Sequence, residues 1–363
     1  MTEEGKGRGF DAPKAEAFAA RMLGALNDGA LCLMMSVGHR VGLFDALRDL
    51  PPSTSAAIAA RAGLDERYVR EWLGAMAAAG VVEIDGATGR FALPAEHAAA
   101  LARAAGDGNL ASLAQYIPIL GAVEEAIVGC FRAGGGVPYE RFVRFHEVMA
   151  EDSWQSVGAA LESVVLPLVP GLEARLLAGA RVLDVGCGRG LAMMRLAALF
   201  PASRVTGYDL SAEAIGHGRE EARRRGIANL DLQARDLSDF DVTAEPAAFD
   251  VVTAFDAVHD QAQPLRLLRG VHRTLARDGV FLMQDIRAAS AVQGNLDHPI
   301  GTFLYTVSCL HCMTVSLAQG GEGLGAMWGE EMTRDYLERA GFGSVETHRL
   351  PHDIQNNWYV VRK

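Results

Sequence analysis

The residues in this sequence best suited to chemistry lie between Asp184 and Asp260. Asp184-Val185-Gly186-Cys187-Gly188-Arg189-Gly190 is an acid followed by glycines at alternate positions. Glycine lets the backbone turn sharply and lets a ligand come close to it. Asp209 closes the next apolar run, Asp236 the one after, and His259-Asp260 follow a fourth. An acid at the end of the second run suits ribose hydroxyls, the mark of an adenosine-type cofactor. Asp184 suits a cationic ligand better than a pyrophosphate. A dinucleotide site wants G-x-G-x-x-G, where this chain has G-C-G-R-G; a nicotinamide-dinucleotide site is the alternative reading.

The elements that must position these residues follow from hydrophobic periodicity. Strands are expected at Val182–Val185, Val205–Leu210, Leu230–Leu237, Phe249–Asp256 and Val280–Ile286. Helices fall between them at Leu191–Phe200, Ala212–Arg225 and Leu265–Leu275, and a turn falls at Arg277-Asp278-Gly279. Glu330–Ala340, Val345–Leu350 and Trp358–Arg362 read as a helix and a closing hairpin. Alternating strands and helices specify an α/β fold, a parallel sheet covered on both faces. Open sheets of this kind bind ligands at the carboxyl ends of their strands, which places His259 near the site.

The string D-V-G-C-G-x-G closely resembles the first motif of class I S-adenosylmethionine-dependent methyltransferases. The resemblance implies a Rossmann-like seven-stranded sheet, mostly parallel with its last strand antiparallel. It implies S-adenosyl-L-methionine as cofactor, leaving as S-adenosyl-L-homocysteine. Asp184, Gly186, Cys187, Gly188, Gly190, Asp209, Leu210, Asp236, Leu237 and Phe255 are the cofactor candidates. His259-Asp260 is similar to the catalytic His-Asp pair of caffeate-type O-methyltransferases. That similarity implies His259 as general base toward an acceptor hydroxyl, with Asp260 to orient it. The alternative is a histidine that caps the strand end or touches the methionine part of the cofactor. The caffeate-type family typically has a third glycine where Cys187 stands, so the acceptor does not transfer; carbon and sulfur acceptors stay open.

The N-terminal third reads differently. Phe18, Met22, Leu26, Leu31, Met34 and Met35 recur at helical spacing, an expected dimer interface. Ser53-Thr54-Ser55 caps a helix to Ala62, Asp65 caps a second from Glu66 to Ala79, and Val81–Ile84 with Arg90–Leu93 forms a wing. Over Thr54–Asp85 three arginines face five acids, which argues against DNA reading. The segment resembles the winged-helix dimerisation domain of small-molecule O-methyltransferases. A regulator that senses S-adenosylmethionine and binds DNA is the competing function.

The expected organisation is residues 1–100 winged-helix and dimerisation domain, 101–178 helical connector and pocket cover, and 179–363 catalytic domain with an insertion at 291–329. Gly134-Gly135-Gly136 reads as a hinge and Gly320–Gly329 as a mobile lid carrying Met327-Trp328. His146, Tyr305, Cys309, His311, Cys312, Trp328 and His352 are candidate walls of the acceptor pocket, with Asp353, Asn356 and Asn357 a polar cluster near it. No metal is expected: C-x-H-C at Cys309–Cys312 lacks a second pair of ligands. A net charge of −11 argues against nucleic-acid and anionic-membrane partners. The longest apolar stretch, Ala30–Gly38, is too short to span a bilayer. No signal peptide is visible before Pro13, residues 1–13 read as disordered, and five scattered cysteines suit a reducing cytoplasm.

Overall fold

The computed structural model describes residues 10–363, apart from the side chain of Asp107. The expectations for residues 1–9 lie outside it. Contacts divide the chain into two compact units, one ending at Pro118 and one running from Ile119 to Lys363.

In the first unit, helix α1 runs Ala12–Arg40 and α2 Leu43–Arg48. Helix α3 (Ser55–Ala62) starts where the Thr54 hydroxyl accepts from Ala57 N, and α4 (Glu66–Ala78) where Asp65 accepts from Arg67 N and Tyr68 N. Strands β1 (Glu83–Asp85) and β2 (Arg90–Ala92) form the wing. Helix α4 buries Val69, Trp72, Leu73 and Met76, and the Trp72 indole N–H donates to the Met34 carbonyl. Gly38 is required there, since a Cβ would collide with the Trp72 ring. On the outer face of α4, Arg67 pairs with Glu71 and Arg70 with Glu66. Phe18, Met22, Leu23, Leu26, Leu33 and Val37 of α1 are all exposed.

The second unit is built on a seven-stranded sheet of order β5-β4-β3-β6-β7-β9-β8. Its strands are β3 (Arg181–Val185), β4 (Arg204–Asp209), β5 (Leu230–Ala234), β6 (Phe249–Phe255), β7 (Leu275–Ile286), β8 (Ser344–His348) and β9 (Asn356–Arg362). Strands β3 to β7 pair in parallel, and β9 runs antiparallel to both neighbours. Strand β7 starts five residues before the expected position, at Leu275, and the expected turn at Arg277-Asp278-Gly279 is an irregularity in its pairing with β6. Alternate side chains feed two cores. Leu183, Val185, Val252, Ala254, Phe281 and Met283 lie on one face, and Val182, Val251, Val280 and Leu282 on the other.

Strand order reverses at β3, which pairs with β4 on one side and β6 on the other. Such a switch point opens a crevice at the carboxyl ends of the strands. Residues 119–178 are helical and belong to this unit. Gly136 is a close approach rather than a free hinge: a Cβ there would collide with the Thr314 carbonyl, and Val137 N donates to Thr314 Oγ1 at 2.8 Å. Gly301–Ala318 forms 18 residues of helix with mean hydropathy 1.3, long and apolar enough to cross a membrane by length and composition, yet 44% of it is buried in the protein. It exceeds the Ala30–Gly38 stretch because three helical segments join end to end.

Candidate active site

Where β3 ends, the chain turns through Gly186 at φ 76°. A side chain is strained in that left-handed region, and a Cβ would also collide with Ala257 at the end of β6. The amides of Gly186 and Cys187 donate to the Tyr208 carbonyl at 2.8 and 3.0 Å. Asp209 then clamps the turn: Gly188 N donates to its Oδ2 and Ser211 N to its Oδ1, both at 2.8 Å. Each oxygen keeps a further lone pair for a ligand. Cys187 fits because β4 carries Gly207 opposite it; a Cβ on Gly207 would come 2.8 Å from the Cys187 sulfur.

A cavity of about 630 Å³ opens over these strand ends. Asp184, Gly186, Cys187, Gly188, Gly190, Asp209, Leu210, Asp236, Leu237 and Phe255 all line it. Its wall is rich in acids, and its arginines are taken up by neighbouring side chains. Arg189 pairs with Glu213 at 2.9 Å and Arg144 with Glu147 at 2.6 Å, and the Arg235 guanidinium lies 4.7 Å over the Tyr208 ring. That wall fits a sulfonium and an ammonium and disfavours a pyrophosphate. Asp184 is buried and accepts from the Thr253 hydroxyl at 2.6 Å. Burial pushes its carboxyl up to about 7, with a smaller push from Asp209 against the Thr253 hydrogen bond.

Asp256 is a lining residue that sequence reasoning passed over as a site residue. It sits at φ 50°, its Oδ1 has no hydrogen-bond partner, and burial with nearby Asp285 pushes its carboxyl well up. A strained backbone at a strand end is the signal, and no sequence pattern carries it.

The opposite side of the cavity is aromatic. Tyr139, Phe142, Phe145, His146 and Met149 line it, and Tyr139 stacks on His146 with ring centroids 5.7 Å apart. His146 Nδ1 lies 3.4 Å from Glu213.

Asp260 faces the cavity, whereas His259 lies behind it, 3% exposed. His259 Nδ1–H donates to Asp285 Oδ1 at 2.7 Å, and its Nε2 lies 3.2 Å from Asp260 Oδ1. Burial opposes charge on this imidazole, but Asp285 and Asp260 outweigh it and hold His259 well above its ordinary range. Burial likewise opposes the Asp260 carboxylate, and His259 wins, bringing it to about 2. Tyr139 donates its hydroxyl to Asp260 Oδ2 at 3.0 Å.

The remaining acceptor-wall candidates do not line this cavity. Tyr305 receives a hydrogen bond from Asn295 Nδ2, and Cys309 lines a separate apolar cavity with Cys130 and Phe131. Trp328 is buried in the core and donates to Asp285 Oδ1 at 3.0 Å, and Met327 is buried too, so neither sits as a lid. His352 Nε2 contacts the Ser156 carbonyl at 2.9 Å. Asp353 holds Gln284, Asn356 and Trp358 together rather than facing the cleft. His311 and Cys312 are buried just behind the wall, His311 stacked on Phe145 with centroids 3.5 Å apart. A π-helical turn over Ser308–Cys312 shifts the phase of this helix, and Cys309 lines the separate cavity while Cys312 is buried behind the wall.

The sheet order and the glycine turn at its switch point define a class I methyltransferase architecture. Residues 176–328 match the methyltransferase domain family and residues 29–103 the Rv2258c-like winged HTH domain, so the chain joins a winged helix-turn-helix domain to a methyltransferase domain. Solved structures agree along nearly the whole length. A putative O-methyltransferase from Nostoc punctiforme superposes with a TM-score of 0.69 at 19% identity, covering 94% of this chain and 98% of that one. Human N-acetylserotonin methyltransferase in complex with S-adenosylmethionine gives 0.67 at 17% identity, covering 98% and 99%. Similarity in sequence is more local. The ubiquinone biosynthesis O-methyltransferase of Neisseria meningitidis is 31% identical over 113 residues, 30% of this chain and 45% of that protein. A Synechococcus protein without an assigned function is 33% identical over 101 residues, 28% of this chain and 24% of its own. The chain thus spans about a quarter to a half of the length of these curated relatives.

Proposed function

We propose that this protein methylates a hydroxyl group of a small-molecule acceptor, using S-adenosylmethionine and releasing S-adenosylhomocysteine. The observation that carries the reading is one cavity holding Asp209, clamped by Gly188 N and Ser211 N, together with Asp184 and Asp260. When bound, S-adenosylmethionine supplies an electrophilic methyl on a sulfonium. Asp209 takes the ribose hydroxyls, Asp236 and Leu237 flank the adenine, and Asp184 compensates the cationic methionine end. Methyl transfer needs alignment and a dry site. The wall from Tyr139 to Met149 supplies both, and it suits a planar, apolar acceptor.

As the bond to carbon forms, the acceptor oxygen becomes strongly acidic, so a weak base suffices to take its proton. Asp260 accepts that proton at the cavity wall. Asp285 holds His259 behind it, so His259 acts through Asp260 rather than on the acceptor. A thiol acceptor would use the same groups; a carbon acceptor would need no hydrogen bond to Asp260.

The exposed apolar side of α1 supports a homodimer formed through the N-terminal helices. The paired arginines of α4 disfavour the DNA-binding alternative. Five free cysteines suit a cytoplasmic setting. The test is calorimetric titration with S-adenosylmethionine and with a nicotinamide dinucleotide, followed by mass-spectrometric screening of phenols and thiols. Binding of the dinucleotide alone would sink the reading.

A further inference from the structure

Four polar groups at and behind the cavity wall form a cluster that the methyl-transfer reading does not fully use. His259 Nε2, an Asp260 carboxylate oxygen and Cys312 Sγ all lie within 4.8 Å of one another, and all three residues are buried. Nε2 and Asp260 Oδ1 approach to 3.2 Å as an ion pair, without the alignment of a hydrogen bond. The fourth group is His311. It is fully buried with neither ring nitrogen partnered, and its Nδ1 lies 3.9 Å from Asp260 Oδ2. Unpartnered buried polar atoms are costly, and a cluster of them points to a missing partner.

We infer that His259, Asp260 and Cys312 form a binding site for a divalent transition-metal ion of the zinc type. Imidazole, carboxylate and thiolate together are the donor set that zinc prefers. Two ligands each about 2.0–2.1 Å from a tetrahedral zinc lie roughly 3.3 Å apart, close to the separation of Nε2 and Oδ1. The outer groups are also in place. Asp285 holds Nδ1 of His259 at 2.7 Å and so presents Nε2 inward, and Tyr139 holds Oδ2 of Asp260 at 3.0 Å and leaves Oδ1 free. Carboxylate support behind a ligating histidine fixes the ring and raises its basicity. Three protein donors leave a fourth tetrahedral position for an incoming ligand, and Asp260 is the one member of the set that lines the cavity. Coordination of an acceptor hydroxyl or thiol there rests on the methyl-transfer reading; ion binding does not. The sequence led to no metal being expected at Cys309–Cys312; of that run only Cys312 joins the proposed set, since Cys309 lines another cavity.

The experiment is a titration of the full chain, stripped with chelator, with Co²⁺. One equivalent should bind and produce a thiolate-to-cobalt absorption band, and Zn²⁺ should displace it. Cys312→Ser should abolish the band, and Asp260→Asn should weaken cobalt binding at least tenfold. Absence of the band in the wild type overturns the proposal, as does a band that survives Cys312→Ser. If Cys312→Ser does not fold, the wild-type titration and Asp260→Asn decide, with unchanged cobalt affinity in Asp260→Asn overturning it. S-adenosylmethionine calorimetry on the same samples separates the two readings. Cofactor binding without a cobalt site overturns the metal alone, and a cobalt site without cofactor binding overturns methyl transfer alone.

Discussion

His259 and Asp285 are joined across neighbouring strand ends, Nδ1–H to Oδ1 at 2.7 Å, and the same oxygen receives the Trp328 indole N–H at 3.0 Å. The imidazole therefore has one orientation. Asp285→Asn keeps the shape and removes the charge. It should lower kcat about 10- to 100-fold, the scale for a support behind a working group, and leave the cofactor Kd within about twofold. Steady-state kinetics together with calorimetry checks both halves.

Asp209 holds the glycine turn with both oxygens. Asp209→Ala removes the clamp and, with it, the proposed ribose contact. Hydrogen bonds to a charged group are worth about 1.5–3 kcal/mol. A loss of about 2–3 kcal/mol, roughly 30- to 150-fold in Kd for S-adenosylhomocysteine, is expected by calorimetry. An unchanged Kd would show that the ribose lies elsewhere.

If Asp184 faces the cationic end of the cofactor as proposed, it gives cofactor binding a pH dependence. Its carboxyl titrates at about 7 in the ligand-free protein, and a cationic ligand binds the ionised form. Affinity should therefore be flat above that value and fall below it with uptake of one proton, about tenfold weaker at pH 6 than at pH 8. The sign for folding is opposite. The folded protein holds this proton more tightly than the unfolded chain, so Asp184 disfavours folding increasingly as pH rises from the ordinary carboxyl range to about 7. Asp184→Asn should flatten the affinity profile, measured as Kd across that range.

Gly186→Ala combines left-handed strain of about 1–2 kcal/mol with overpacking of about 1–3 kcal/mol against Ala257. A destabilisation of about 2–5 kcal/mol is expected. Thermal unfolding should show it, and excess S-adenosylhomocysteine should not restore the wild-type Tm.

Leu23 and Leu26 are exposed at 63% and 70% on α1. If that side of α1 holds two copies together, Leu23→Glu with Leu26→Glu should give a monomer by sedimentation velocity at concentrations where the wild type is a dimer. A wild type that sediments as a monomer would remove the dimer reading.

What could be read from the sequence was local. Gly186 to Gly190 and the runs ending at Asp209 and Asp256 are contiguous, and alternation or apolar runs of this length allow little besides strands. The helix-turn-helix was legible for the same reason, through Thr54 and Asp65 at helix starts and Gly63 between them. The site partners were not. Asp285 lies 26 positions from His259, and Tyr139 lies 121 from Asp260. They meet only because β7 pairs beside β6 and because the 119–178 helices fold back on the same sheet. The insertion misled for a different reason. Helical spacing assumes 3.6 residues per turn, and the wider turn at Ser308–Cys312 rotates Cys312 inward and Cys309 away. Trp328 is a large aromatic in a glycine-rich run, which reads as mobile until Asp285 is known to hold its indole.

The close approach at Gly136 bears on how this pocket could be re-engineered. Thr314 lies on the insertion and Gly136 just before the Tyr139–His146 wall, and no side chain fits between them. A transplanted insertion with a different backbone path would push that wall out of its place on the cavity. Grafting acceptor preference from a relative therefore requires moving both stretches as a single cassette, including the glycine that lets them nest.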